Sequence, residues 1–174
     1  MSRIFLVSVA CEDRTGLVAA ITGRLFDLGG NLGDTSFAVL GTGAEFTSLV
    51  DLPDHLDAAT VRGEIGALPE TAGGTVEVSP YDRPTTHGPL GEVSHVVTVS
   101  GGDQPGLIAR VTEVFGEFGA NILNIDAGLE AGAYTMRFAV AIPPPGADKC
   151  LATVANTAEG MNLACRWRGA DEPA

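Results

Sequence analysis

The sequence repeats itself over a long period. Residues 4–53 align with residues 94–143 without a gap. A repeat of about 85 residues indicates two globular domains in tandem, because solenoid repeats are about 20 to 50 residues long and need several copies to bury a core. The identities shared by the two segments are Val7, Val9, Asp13, Gly16, Leu17, Ala19, Thr22, Gly29, Asn31, Val50 and Pro53, matched by Val97, Val99, Asp103, Gly106, Leu107, Ala109, Thr112, Gly119, Asn121, Val140 and Pro143.

The charge balance disfavours several classes of partner. Asp and Glu number 22 against 10 Lys and Arg, which gives a formal net charge of −12. Binding to nucleic acid depends on Lys and Arg that neutralise phosphates, so we expect no direct DNA or RNA contact. Anionic membrane surfaces are disfavoured for the same reason, and no apolar run reaches the roughly 18 residues of a membrane span. We therefore expect a cytoplasmic protein.

The cysteines and histidines predict neither a disulfide framework nor a metal site. Cys11, Cys150 and Cys165 are odd in number and lack CxxC spacing, so we expect reduced thiols that serve as small hydrophobic residues. The three histidines are scattered without partners at helical spacing. We expect no metal and no cofactor.

In the first copy, hydrophobic periodicity predicts six elements. An apolar strand over residues 4–10 is followed by a turn and by a helix from Leu17 that Gly29 and Gly30 end. Strands over residues 31–39 and 44–52 are joined by a glycine-bearing hairpin loop. A weaker helix, capped by Asp54 or Asp57, runs through Leu68, and a strand covers residues 75–79.

The second copy repeats this order. Strands are predicted over residues 93–100, 121–129, 134–142 and 161–167, and helices over residues 106–118 and 148–159. Met136 and Phe138 are expected in the core. The domain boundaries follow as a first domain at 1–80, a Pro- and Gly-rich linker at 81–92, a second domain at 93–168 and a tail at 169–174.

The order β-α-β-β-α-β with right-handed crossovers predicts an α+β fold. Each domain becomes a ferredoxin-like sandwich, in which four antiparallel strands carry two helices on one face. The other sheet face and the two edge strands stay open. Because open strand edges need cover, we expect the two copies, or two chains, to pair.

Both copies keep the turn that precedes the first helix and the segment that follows it. Helix N-termini favour anions, glycine lets a ligand approach the backbone, and an aspartate in the same turn attracts an ammonium group. Such a site suits a zwitterion such as a free amino acid. The candidate residues are Asp13, Arg14, Thr15, Gly16, Leu17 and Asn31 in the first copy, and Asp103, Gln104, Pro105, Gly106, Leu107 and Asn121 in the second.

A purely structural interpretation of these residues also stands. The aspartates could be helix N-caps, the glycines could allow close helix packing, and the asparagines could be C-caps. Cys11, two residues before Asp13, could be a site thiol or buried filler.

These residues resemble a known family. Asp13-Arg14-Thr15-Gly16-Leu17 with Gly29-Gly30-Asn31-Leu32, and Asp103-Gln104-Pro105-Gly106-Leu107 with Gly119-Ala120-Asn121-Ile122, are similar to the motifs of ACT domains. Two ACT domains with nothing else attached resemble the glycine cleavage system transcriptional repressor group. In the first copy, Thr15 replaces the usual proline and Gly33 interrupts the apolar alternation of the next strand.

The resemblance implies a non-enzymatic regulator. It implies that an amino acid such as glycine or serine binds between ACT domains, and that this binding modulates a protein partner such as a transcription factor, without DNA contact. The alternatives are a ligand-free protein-interaction module and an acylphosphatase-like hydrolase, for which Arg14 would bind phosphate although its counterpart is Gln104. The excess of Arg over Lys and the abundance of Ala and Gly indicate a GC-rich bacterial source.

Overall fold

The computed structural model describes residues 2–172, and the chain divides into two compact units, Met1–Arg83 and Pro84–Ala174. The strands and helices of the first unit are β1 (Ser2–Glu12), α1 (Leu17–Asp27), β2 (Asn31–Leu40), β3 (Gly43–Pro53), α2 (Ala58–Gly66) and β4 (Thr75–Pro80). Those of the second unit are β5 (His95–Gly101), α3 (Leu107–Glu117), β6 (Asn121–Glu130), β7 (Ala133–Ala141), α4 (Ala147–Gly160) and β8 (Ala164–Gly169). The predicted element order is confirmed in both copies.

Each unit contains a four-stranded antiparallel sheet. The strand order is β2-β3-β1-β4 in the first unit and β6-β7-β5-β8 in the second. In β1, alternate residues Phe5, Val7 and Val9 are buried against α1 and α2, whereas Ser8 on the opposite face is only half-buried. Both helices therefore lie on one face of the sheet, and the α+β, ferredoxin-like fold predicted for each copy is confirmed.

The residues buried in the two cores are those that the hydrophobic periodicity of the sequence predicts. In α1, Leu17, Ile21 and Leu25 are fully buried, as the spacing of four predicts. In the second unit, Met136 and Phe138 are 0% exposed, and the Phe138 ring lies 5.6 Å from that of Phe115. Met136 and Phe138 are thus core residues, as expected.

Several predicted element ends differ from the structure, such as the start of β5 at His95 rather than residue 93, and two of the differences have backbone reasons. Helix α2 ends at Gly66 rather than Leu68, because Leu68 precedes Pro69 and the residue before a proline avoids helical geometry. Strand β8 begins at Ala164 rather than Met161. Asn162 adopts a φ of 57° there, and Leu163 N donates to Ala158 O, so these residues close α4 before the strand starts.

The edge strands β2 and β6 share one irregularity. The register of β2 against β3 shifts between Leu32 and Thr35, and that of β6 against β7 shifts between Ile122 and Asn124. The two shifts fall at equivalent positions, which marks a β-bulge in both copies. Gly33 therefore does not set the first copy apart in backbone geometry, because the second copy forms the same bulge with Leu123.

Candidate functional site

Each helix that follows a first strand begins at a left-handed glycine. Gly16 precedes α1 with φ 91° and ψ −6°, and Gly106 precedes α3 with φ 83° and ψ 8°. This conformation is strained for residues with a Cβ, because the Cβ then approaches the following carbonyl. Both copies thus require glycine at this position for backbone reasons.

Two of the structural interpretations fail at these turns. The N-cap position of each helix is the glycine itself, and neither α1 nor α3 has a side-chain cap hydrogen bond, so Asp13 and Asp103 are not N-caps. A Cβ built on Gly16 or Gly106 would meet nothing within 4 Å. Close helix packing therefore does not explain either glycine.

The turn presents opposite charges to solvent at one place. Asp13 and Asp103 are exposed, and so are the two glycines. No side chain caps the first amide groups of α1 or α3, and such amides together with the helix dipole favour an anion. Each copy therefore has an exposed carboxylate in the turn that leads into an anion-attracting helix end.

The leucines of the motif are core residues. Leu17 and Leu107 are 2% and 3% exposed, and their side chains lie in the two cores. A ligand could contact them only through the main chain. Thr15 and Pro105 are exposed in the turns, so their side chains are accessible.

Arg14 and Gln104 tie each turn to a neighbouring loop. Arg14 Nη1 donates to Pro69 O at 2.8 Å, and its Nη2 donates to Ala72 O at 3.3 Å and to Glu12 at 3.2 Å. Gln104 Nε2 donates to Met161 O at 2.9 Å. Both side chains bond main-chain carbonyls that follow the second helix of their own unit, so they are equivalent in position and in structural role.

The two asparagines start strands instead of capping helices. The C-cap of α1 is Leu28, after which Gly29 takes the left-handed conformation with φ 78°. Asn31 is the first residue of β2, and Asn121 is the first residue of β6. The C-cap interpretation of the asparagines is therefore wrong.

Within one unit the two predicted clusters do not meet. Helix α1 has 11 residues, with the turn at its N-terminal end and Asn31 just beyond its C-terminal end. At 1.5 Å per residue this separation is about 16 Å. Asp13 and Asn31 therefore cannot both contact one amino acid from the same unit, and Asp103 and Asn121 are separated by α3 in the same way.

The asparagines have different surroundings. Asn121 Nδ2 donates to Leu90 O at 2.8 Å and so holds the segment that enters the second unit. Asn31 lies opposite Asp51 on β3. One carboxylate oxygen of Asp51, Oδ1, is buried and has no hydrogen-bond partner among residues 2–172. Asp51 was not predicted, since a single acidic residue inside a strand carries no motif.

The cysteines are free thiols. Cys11 is half-buried, its Sγ lies 3.9 Å from Glu70 O, and burial raises the pKa of its thiol, although the neighbouring Arg14 lowers it. Burial also raises the pKa of Cys150 and Cys165. A raised pKa favours the protonated thiol, so Cys11 fits a packing role better than a nucleophilic one.

The described residues offer neither a metal cluster nor a membrane-spanning helix. Within residues 2–172, no group of three or more His, Cys, Asp or Glu side chains is placed to hold a metal ion. Among the described helices, none is both long and apolar enough to cross a membrane.

Family models match both copies. Models described as the ACT domain match residues 3–79 and residues 95–147. The chain belongs to the ACT-domain family. The two matches lie in the two compact units, so this is a tandem ACT protein, and the family supports a ligand-binding regulatory role.

Two solved structures match this chain over almost its whole length. A protein of unknown function from Galdieria sulphuraria is 24% identical with a TM-score of 0.77, covering 97% of this chain and 99% of that one. A protein proposed to be a glycine cleavage system transcriptional repressor is 11% identical with a TM-score of 0.70, covering 99% of both chains. At these identities the likeness shows the tandem fold alone.

Sequence relatives match one part of the chain. UPF0237 proteins of Methanosarcina mazei and Methanosarcina acetivorans are each 32% identical over 68 residues, which is 39% of this chain and 74% of the relative. These relatives are archaeal. The bacterial source indicated by composition stays a prediction.

Proposed function

We propose that this tandem ACT protein is a non-enzymatic regulator that binds an amino acid, with glycine and serine as the first candidates, and modulates a protein partner. The observation that supports this most directly is the glycine-led, uncapped helix N-terminus beside an exposed aspartate, present in both units. The first amides of each helix, which no side chain caps, would bind the ligand carboxylate, although in the first unit Leu17 N already donates to Arg14 O at 3.1 Å. Asp13 or Asp103 would bind the ammonium group of the ligand.

The geometry of each unit indicates how a complete site would form. Because α1 separates Asp13 from Asn31 by about 16 Å, a small amino acid that touches both kinds of motif needs two ACT domains. One domain would supply the turn, and the other would supply the start of a β2-type strand. Ligand binding would then depend on the association of ACT domains, and by linkage would change it.

Binding to a protein fits this chain better than catalysis. Arg14, the residue that an acylphosphatase-like site would use for phosphate, is committed to the carbonyls of Pro69 and Ala72, and it is replaced by Gln104 in the second copy. The net charge of −12 suits a basic partner surface, such as that of a transcription factor.

A thermal-shift titration tests ligand binding. The purified chain is heated with each of the twenty amino acids, and then with glycinamide and N-acetylglycine, which lack one of the two charges. A ligand at about 100 times its dissociation constant stabilises the native state by about 2.7 kcal/mol. We expect glycine or serine to raise the melting temperature and both single-charge analogues to fail.

Matched variants locate the site. Asp103→Asn and Asp13→Asn remove the predicted ammonium ligand in one copy each, whereas Asp171→Asn makes the same change on an exposed residue after β8. We expect the shift to decrease with Asp103→Asn or Asp13→Asn and to persist with Asp171→Asn. A full shift in the Asp13→Asn/Asp103→Asn double variant would refute the proposed site, and no shift with any amino acid would leave a ligand-free interaction module.

A further inference from the structure

The helix-free faces of the two sheets differ in charge, and Glu77 of the first sheet is matched by Arg166 at the equivalent position of the second. We call the open face of the first sheet, marked by Glu45 and Glu77, the acidic face, and that of the second sheet, marked by Arg137, Arg166 and Arg168, the basic face. The two sheets have the same strand order and register, so the difference between the faces lies in the side chains.

The register of the strands establishes the equivalence. Ser8 on β1 pairs with Thr47 on β3 and Glu77 on β4. Thr98 on β5 pairs with Arg137 on β7 and Arg166 on β8. The two rows are therefore Thr47-Ser8-Glu77 and Arg137-Thr98-Arg166. An acidic residue of the first sheet is replaced by an arginine at the same site of the second.

The adjacent rows extend the pattern. Leu6 pairs with Ser79, whereas the equivalent residue Val96 pairs with Arg168. Ala10 pairs with Glu45, whereas Ser100 pairs with Thr135. Across these rows β1, β3 and β4 carry two carboxylates, Glu45 and Glu77, whereas β5, β7 and β8 carry the three arginines, with Asp126 on β6 opposite Arg137.

Both faces are open and uneven, so each can accept side chains from another surface. A depression of about 540 Å³ on the basic face is lined in part by Thr98, Arg137, Arg166 and Arg168. A depression of about 310 Å³ on the acidic face is lined in part by Ser8, Thr47, Glu45 and Glu77. Glu45, Glu77 and Arg166 are exposed.

Arg137 is partly neutralised within its own unit. Its guanidinium bonds Glu130 at 2.5 and 2.6 Å and lies 3.8 Å from Asp126. These bonds raise the pKa of Arg137 and lower that of Glu130. The cationic character of the basic face therefore depends chiefly on Arg166 and Arg168, which lie on the edge strand β8.

We propose that the acidic face of one chain docks on the basic face of a second copy of this chain. A four-stranded sheet with strands about 4.8 Å apart and about six residues long presents roughly 400 Å². Two such contacts around a twofold axis would cover four faces, about 1,600 Å² in total, which is the size of a standard stable interface. A single contact of half that area would be weak, so the charge complementarity favours the closed pair.

The test uses charge reversal with a rescue by mixing. Glu77→Arg puts a positive charge on the face that would meet the basic face of the second copy, and Arg166→Glu puts a negative charge on the face that would meet the acidic face. We expect the wild-type chain to be a dimer by analytical ultracentrifugation, with its dissociation constant rising between about 50 mM and about 500 mM NaCl. Each variant alone should dimerise at least tenfold more weakly, because like charges meet in both contacts.

Mixing the two variants distinguishes this contact from other kinds of association. In a one-to-one mixture of Glu77→Arg and Arg166→Glu chains, one contact pairs two wild-type faces and the other pairs two reversed faces, so both are again complementary. We expect the mixture to dimerise with close to wild-type affinity. If both variants are monomeric and the mixture stays monomeric, the two faces do not meet between chains and the proposal is wrong.

Two control variants make the same charge changes on the helix-bearing side. Arg62→Glu alters an exposed residue of α2, and Glu113→Arg alters an exposed residue of α3. Both should dimerise like wild type. If the controls weaken the dimer as much as Glu77→Arg and Arg166→Glu do, docking through the sheet faces is refuted. A wild-type chain that stays monomeric at low salt and near-millimolar concentration would refute it as well.

Discussion

Replacing glycine by alanine at two sites of the same domain should change stability in opposite directions. Gly106 has φ 83° and Gly116 lies inside α3, and a Cβ at either site would meet nothing within 4 Å. Steric contact is therefore absent from both substitutions. What differs is the backbone conformation that the alanine must adopt.

The expected magnitudes follow from that conformation. Alanine in the left-handed region is less favourable by roughly 1 to 2 kcal/mol, so Gly106→Ala should destabilise the second domain by about that amount. Alanine inside a helix is more favourable than glycine by roughly 0.5 to 1 kcal/mol, so Gly116→Ala should stabilise it. Gly106→Asn should be milder than Gly106→Ala, because asparagine visits the left-handed region more readily.

The assay can report on the second domain alone. Trp167 is the chain's single tryptophan and lies on β8, so its fluorescence during urea unfolding follows the second unit. The two alanine variants should differ by roughly 1.5 to 3 kcal/mol in the free energy of unfolding. If Gly106→Ala is neutral, or if both variants shift the same way, the attribution of Gly106 to its backbone angle is wrong.

Three further predictions concern the described core and caps. The pKa of Asp57 is lowered chiefly by the backbone hydrogen bond from Thr60, so the resulting stabilisation is present above about pH 4 and is lost as the pH falls further. Urea titrations at about pH 5 and about pH 2 should therefore show a larger loss of unfolding free energy for wild type than for Asp57→Asn. Ser48 is fully buried and shares a 2.8 Å hydrogen bond with Thr35, so Ser48→Ala should destabilise the first domain by about 1 kcal/mol in thermal unfolding. An unchanged stability of this variant would contradict a stabilising role for the bond. Cys150 is buried with a raised pKa, so its thiol should react with a disulfide reagent at neutral pH only on unfolding in urea, and prompt reaction in the native state would show that its burial is misassigned.

The architecture could be predicted from the sequence because the same pattern of elements occurs in both copies. A single occurrence of Asp-x-x-Gly followed by an apolar stripe is weak, but its recurrence beside the same flanking strands predicts a domain and its order of elements. The buried stripe of Leu17, Ile21 and Leu25 follows directly from its spacing.

The contacts around the turns could not be predicted in the same way. Arg14 and Gln104 bond the main-chain carbonyls of Pro69, Ala72 and Met161, and a carbonyl contact leaves no signature in side-chain identity. The conformation of Gly16 was also open, since a glycine can serve packing, a cap or a positive φ equally well in a sequence. Only the backbone angle and the empty space around its Cβ position decide between them.

The bulge shared by β2 and β6 limits how these domains can grow into larger sheets. Past Leu32 or Ile122, the exposed edge is offset by one residue relative to a regular strand. An incoming straight strand would keep its hydrogen bonds in phase on only one side of that point. Exposed apolar residues such as Phe37 and Leu129 would otherwise make these edges prone to indefinite strand addition. The bulge therefore restricts the pairing of a straight incoming strand to one side of Leu32 in the first domain and of Ile122 in the second.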